Sequence, residues 1–329
     1  MTPDEVREWG RFATSSPTYM RIVESIATDP ELIAVVNRIA HAPRLNILFA
    51  GVQLLMMGGR GGELAAFYPN FPGIAPEQGN LETAFRDFVL THADELETIG
   101  RNRYTQTNEC RRCVALVPAI WMLGQESFHL LDLGTSAGLN LLLDRYRYRW
   151  SRVDWGPADS PVILETENRG EEIVPGGLDV LSRTGLDLVP IDPTDPEERL
   201  WLEALVWPEQ SDRRQRLRSA TGLASSVDLK LVAGSALETL GPALSNLPEG
   251  EVAVVINSFV LFQMDVDQQE AVVVIIDEAR RQRPVLRVSF EPSETAPGSC
   301  EVAIDDGSGL VDVGRADQHG EWIEFYARP

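Results

Sequence analysis

Phe128-His129-Leu130-Leu131-Asp132-Leu133, followed by Gly134-Thr135-Ser136-Ala137-Gly138-Leu139-Asn140, is the stretch on which the reading of the fold turns. A short apolar run stops at a glycine, passes through small residues and resumes as Leu141-Leu142-Leu143. That order reads as a buried strand, a tight loop and a helix. Gly134 permits the tight turn, and Gly138 permits close packing of a helix start on the strand. Ser136 is small enough to let a ligand approach the backbone. On this reading Gly138→Val blocks the ligand and leaves most of the fold intact. Ligands of open parallel sheets bind beyond the carboxyl ends of the strands. Asp132 adds negative charge there, which disfavours a phosphate and suits a cationic amine or hydroxyl groups.

Further runs of the same kind follow at 229–233, 252–256 and 285–290, with a helical segment at 271–282 between two of them. Short β-branched runs separated by helices predict a buried, mostly parallel sheet. Near the end, 301–304 and 322–326 flank a Gly/Asp-rich stretch and predict an antiparallel pair closing that sheet. Upstream the periodicity is helical. Thr28-Asp29-Pro30-Glu31 carries a capping side chain, then proline and an acid in the first turn. An apolar segment at 45–57 ends at Gly58-Gly59-Arg60-Gly61-Gly62, which reads as a helix-to-helix turn. Residues 81–99 predict one amphipathic helix. The expected domains are a helical N-terminal lid or substrate domain over 1–125 and an α/β domain over 126–329, with an insertion at about 145–183.

Composition narrows the function. With 29 basic against 50 acidic residues the net charge is −21, so nucleic acid and anionic membranes are not expected partners. No run reaches the roughly 18 apolar residues of a membrane span, and Met1-Thr2-Pro3-Asp4-Glu5 is wrong for a secretory signal. A cytoplasmic protein acting on a small molecule is the expectation. Cys110 and Cys113 form a C-x-x-C, but it sits in a helical pattern and lacks two further ligands at matching spacing. Two ordinary thiols and no metal are expected.

The acid followed by Gly134, Ser136 and Gly138 resembles motif I of class I S-adenosylmethionine (SAM)-dependent methyltransferases, with Ser136 where that pattern has its middle glycine. More closely, the chain resembles a bacterial family of unknown function. The hallmarks are Gln106-Thr107-Asn108-Glu109, the segment from Gly134 through Asn140 to Asp144-Arg145-Tyr146, and Trp207-Pro208-Glu209-Gln210. The methyltransferase resemblance implies a Rossmann-like sheet, SAM as cofactor and methyl transfer to a small molecule. It implies that Asp132, Gly134, Thr135, Ser136, Gly138 and Asn140 hold the cofactor. Asp187, ending Thr184-Gly185-Leu186-Asp187, is the preferred ribose acid, with Glu165 the alternative. Ser235 and Asn257, at later strand ends, complete the implied cofactor set.

Glu291 ends the fifth strand and is a candidate acid or base. Gln106-Thr107-Asn108-Glu109 precedes a helix, so capping explains it. The functional alternative has Gln106, Asn108 and Glu109 face the cleft of Asp132 and Ser136, with Asn108 and Glu109 catalytic. Trp201, Trp207 and Glu209 either line another wall or pack a helix on the sheet. A competing reading takes Gly134-Thr135-Ser136-Ala137-Gly138 as the G-x-S-x-G elbow of an α/β serine hydrolase, with Ser136 as nucleophile and His319 as base. Such hydrolases place several strands before the elbow, whereas a helical pattern precedes it here, so the cofactor loop is preferred.

Overall fold

The computed structural model describes residues 1–71, 79–106 and 108–327. The chain divides into two compact units, one of Met1–Thr107 with Pro196–Gln215 and one of Asn108–Asp195 with Arg216–Pro329. In chain order the helices begin with α1 (Pro3–Gly10), α2 (Pro17–Thr28), α3 (Pro30–Arg38), α4 (Arg44–Leu55), α5 (Leu81–Thr91) and α6 (Ala93–Asn102). Helix α7 (Cys113–Met122) then precedes strands β1 (Ser127–Leu133), β2 (Arg147–Trp150), β3 (Val153–Trp155), β4 (Ile163–Asn168) and β5 (Asp179–Asp187). Helices α8 (Pro196–Ala204) and α9 (Ser211–Ala224) lead to β6 (Lys230–Ala233), α10 (Ala236–Ser245), β7 (Ala253–Ser258), α11 (Val266–Arg280) and β8 (Val285–Pro292). Strands β9 (Ser299–Asp305), β10 (Val311–Asp317) and β11 (Trp322–Phe325) finish the chain. Among the described residues no helix is long and apolar enough to cross a membrane.

The described residues of the first unit contain helices and turns and no strand. Its starts follow from the caps: Asp29 accepts from the amides of Glu31 and Leu32 with Pro30 at the first helical position. The single helix expected over 81–99 is two, because His92 leaves helical geometry (φ −106°, ψ 20°) and hinges α5 to α6. Pro196–Gln215 belongs to this unit for a visible reason. Glu209 accepts hydrogen bonds from Ser16 Oγ (2.6 Å) and the Thr18 amide (2.9 Å), capping α2. Trp207 packs against Trp9 and Tyr19, with ring centroids 6.0 and 5.8 Å apart. Trp201 is buried and donates to the Tyr104 carbonyl. These aromatic residues therefore pack among helices of their own unit.

All strands of the second unit join one sheet in the order β3-β2-β4-β11-β10-β9-β8-β7-β1-β5-β6. The β8-β7-β1-β5-β6 block is parallel throughout. Strands β8, β9, β10 and β11 pair antiparallel in turn, and β11 pairs parallel with β4. β7 is buried along its whole length and β1 from Phe128 onward, which explains their continuous apolar character. The expected pairing of 301–304 with 322–326 is corrected. β10 lies between β9 and β11 and pairs with both, since Val313 and Ala316 supply a buried face inside the stretch read as a loop.

The helix expected after Gly138 is also absent. A single 3-10 turn, Leu139–Leu142, runs into β2. The carbonyls a helix would use are taken by side chains: Tyr146 donates to Leu139 O, Arg183 to Leu141 O and Tyr148 to Leu143 O. Leu139, Leu141, Leu142 and Leu143 are all buried, so the segment has no solvent face of the kind an amphipathic helix keeps. Arg183 anchors this turn by a bidentate pair with Asp144 (2.8 and 2.7 Å), both side chains nearly buried. Arg183→Met leaves Asp144 only the exposed Arg145 (3.3 Å) as a cation partner and removes the donor to Leu141 O, which should cost about 1–3 kcal/mol. A lower urea midpoint, partly restored by the double variant with Asp144→Leu, is the expected result; an unchanged midpoint in Arg183→Met would contradict it.

Candidate functional site

After building β2, β3 and β4 at the far edge of the sheet, the chain adds β5 and β6 on one side of β1, then β7 and β8 on the other. The crevice beyond the carboxyl ends of β1 and β7 is thus the switch point of the parallel strands, where sheets of this kind bind ligands. The register sets Leu133 beside Leu186 on one flank and Asn257 on the other. Asp132, the 134–138 loop, Asp187 and the 258–260 turn therefore share one end of the sheet.

The loop is fixed by its own amides. Gly134 N and Thr135 N both donate to Leu186 O (2.8 and 3.3 Å), Ser136 N donates to Asp187 Oδ2 (2.8 Å), and Gly138 N donates to Thr135 O (2.9 Å). Asp187 Oδ1 also accepts from Val189 N at 2.9 Å. The glycines serve close packing by the protein. A β-carbon at Gly134 would meet Val260 at 2.7 Å, one at Gly185 would meet Thr135 at 2.4 Å, and one at Gly138 would meet Leu229 at 3.1 Å. Gly138 also has φ +73°, so Gly138→Val strains the backbone and pushes into leucines. The expectation that this substitution spares the fold is corrected accordingly.

Two polar atoms on this loop stand out. Asp132 is 1% exposed; Oδ2 accepts from Thr135 Oγ1 (2.8 Å), while Oδ1 has no partner among the described residues. Burial pushes its carboxyl pKa up to about 7; the Thr135 hydrogen bond opposes this, nearby Asp187 adds to it and Arg112 opposes it. Ser136 has φ +51°, unusual for a residue with a β-carbon, and its buried Oγ also lacks a partner among the described residues. Across the switch point Phe259 is likewise left-handed (φ +60°), with the Arg112 guanidinium 4.0 Å above its ring. Arg112 is buried and donates to Ser258 Oγ (3.2 Å).

The remaining sequence candidates separate clearly. Asn108 reaches the loop, donating from Nδ2 to Thr135 O at 3.2 Å. Glu109 caps the following 3-10 turn through the Arg111 amide (3.1 Å) and pairs with Arg216 (3.4 Å). Gln106 falls in the first compact unit, and Thr107 lies outside the described residues. Asn140 accepts from the Cys113 thiol (3.5 Å), and Ser235 caps α10. Asn257 is fully buried and bonds Ser289, Glu291 and Arg287. Glu291 in turn accepts from the amides of Val260 and Leu261, both at 3.2 Å, and so holds the turn after β7. Glu165 sits on β4, separated from β1 by five strands in the sheet order, and pairs with Arg149. His319 lies in the turn between β10 and β11.

Sequence reasoning did not assign roles to Arg112, Val260 and Gly185. Gly185 left a usable signal, since a glycine inside a strand marks close approach by another group; Val260 left none. Beside the loop, a cleft of about 410 Å³ is lined by Pro190, Asp192 and Thr194 after β5 and by Leu229 and Leu231 at β6. Ile191, within the same segment, donates to Ser136 O at 3.0 Å.

Residues 4–325 match the family described as an uncharacterized protein conserved in bacteria (DUF2332), and the chain belongs to that family. No curated protein matches it.

The raised Asp132 pKa carries a pH signature. Between its ordinary value of 3.8 and about 7 the folded state holds this proton more tightly than the unfolded chain, so stability falls as pH rises through that window. The limiting slope from one such group is about 1.4 kcal/mol per pH unit. Asp132→Asn should therefore stabilise the ligand-free protein relative to wild type more at pH 8 than at pH 5. Equal differences in urea unfolding at the two pH values would count against a buried, neutral-prone carboxyl.

Proposed function

We propose that the chain is a SAM-dependent methyltransferase acting on a small molecule, with a Rossmann-like cofactor domain. The observation that carries this reading is the inverted polarity of the glycine loop. A phosphate-binding loop offers free amides to an anion. Here the amides of Gly134, Thr135, Ser136 and Gly138 all serve protein oxygens, while Asp132 Oδ1 and Ser136 Oγ have no partner among the described residues. Buried groups of that kind call for a ligand bearing hydroxyls or an ammonium group, and two aspartates at the strand ends disfavour a dinucleotide pyrophosphate. SAM fits this donor set, and when bound it supplies an electrophilic methyl group.

The chain's own residues have separate tasks on this reading. Asp132 and Ser136 bind the cofactor, Asp187 holds the loop and closes its ribose side, and Asn108 orients the Thr135 carbonyl. The cleft beside Leu229 and Leu231 provides room next to the loop. Orientation of the reactants and exclusion of water supply the catalysis, with Glu109, next to Asn108 in the chain, paired to Arg216 of α9.

One observation favours the serine hydrolase instead: the left-handed backbone of Ser136 matches the strain of a nucleophile elbow. A nucleophilic serine needs an imidazole within hydrogen-bond reach. His129, on the strand leading to the loop, bonds Ser182 and Glu251 instead.

Calorimetry with SAM and S-adenosylhomocysteine tests the proposal. Binding of either is expected, with affinity at least tenfold weaker in Asp132→Asn and no comparable binding of NAD or ATP. At 100 times the dissociation constant the ligand should stabilise the protein by roughly 2.7 kcal/mol. Absence of heat with both ligands at millimolar concentration would end this reading.

A further inference from the structure

At the opposite, amino-terminal end of the sheet lies a second group of reactive side chains. His129 on β1 touches Ser182 Oγ through Nδ1 at 2.6 Å and the Glu251 carboxylate through Nε2. The three come from separate places: β1, β5 and the residue pair preceding β7. A carboxylate at Nε2 fixes the tautomer with hydrogen on that nitrogen, which leaves the Nδ1 lone pair to accept the Ser182 hydroxyl proton. Serine, base and orienting acid thus stand in hydrogen-bonded sequence, the order that activates a nucleophilic hydroxyl.

The backbone supports the same reading. Phe128 pairs with Val180 and His129 with Ser182, so Leu181 is an extra residue bulged out of β5. Bulges redirect side chains and leave an unpaired residue, and they recur beside active sites. β6 pairs with β5 only from Thr184 onward, so among the described residues no strand pairs with Leu181 and Ser182 on that side. His129 is buried, Ser182 is partly exposed and Glu251 is 46% exposed. Ser182 thus keeps some exposure while its base is sheltered from solvent.

We propose that Ser182, His129 and Glu251 form a nucleophilic site for carboxylic esters, separate from the Asp132 loop. Ser182 Oγ bonds to the ester carbonyl carbon as its proton passes to His129 Nδ1. The alcohol leaves with that proton, giving an acyl-serine. Water, its proton taken by the same nitrogen, then releases the carboxylic acid and restores Ser182.

A fluorophosphonate probe with peptide mapping by mass spectrometry tests this on the full chain. Labelling of Ser182 is expected, lost in Ser182→Ala, kept in Ser136→Ala, and slowed at least tenfold in His129→Gln. Should His129→Gln fail to fold, Glu251→Gln at its more exposed position serves instead, with slowing of about threefold or more expected. An unlabelled Ser182 in the folded wild-type protein, labelling confined to Ser136, or equal rates in the wild type and the folded base or acid variant would overturn the proposal.

Discussion

The attachment of the 134–138 loop to β5 is the contact on which the candidate site depends. Leu186 O holds two loop amides and the Asp187 carboxylate holds a third. Gly185 admits Thr135, whose hydroxyl in turn reaches Asp132. One glycine in a strand thereby sets the burial of an acid on its neighbour. The contact also fixes the character of the loop. With three of its amides on β5, the loop keeps a carboxyl oxygen of Asp132 and the Ser136 hydroxyl without partners among the described residues.

Charge is arranged differently inside and outside this protein. The chain is strongly acidic overall, yet Arg112, Arg183, Arg283 and Arg287 are buried in the sheet-bearing unit. Each donates to carbonyls or polar side chains: Arg183 to Leu141 O, Arg283 to Leu247 O and Pro248 O, Arg287 to Asn257. Several of these bonds go to backbone carbonyls of turns, which a guanidinium with its five donors can satisfy without backbone pairing. Asp132 differs from these arginines in having a like charge close by, because Asp187 adds to the effect of burial on its carboxyl.

Strain and chemistry coincide at the switch point. Ser136 and Phe259, left-handed without being glycine, lie just beyond the ends of the adjacent strands β1 and β7. Conformations of this kind persist only where surrounding contacts over-determine them. Ser136 is held from both sides by Asp187 and Ile191, and Phe259 by the Phe290 carbonyl and the Arg112 guanidinium. Glu291 then secures the turn after Phe259, which is why a residue with the chemistry of an acid or base serves here as an acceptor of backbone hydrogen bonds.

The sequence by itself determined what depends on local pattern. The buried strands at 128–133, 252–256 and 285–290, the loop at Gly134, the proline-led helix start at Asp29 and the strand end at Asp187 were all legible, because periodicity and capping act within a few residues. Asn108 beside the loop was legible only as the alternative to a helix cap, and its bond to Thr135 O is a tertiary contact. Tertiary structure decided the rest. The turn after Gly138 is not a helix because Tyr146, Tyr148 and Arg183 take its carbonyls. Residues 196–215 join the first helices because Glu209 caps a helix more than 180 positions earlier. Whether a glycine makes room for a ligand or for Val260, and whether His129 meets Ser136 or Ser182, are questions of three-dimensional neighbourhood. Side-chain to backbone contacts across long sequence separations leave no periodic trace, and those contacts are what give this site its chemistry.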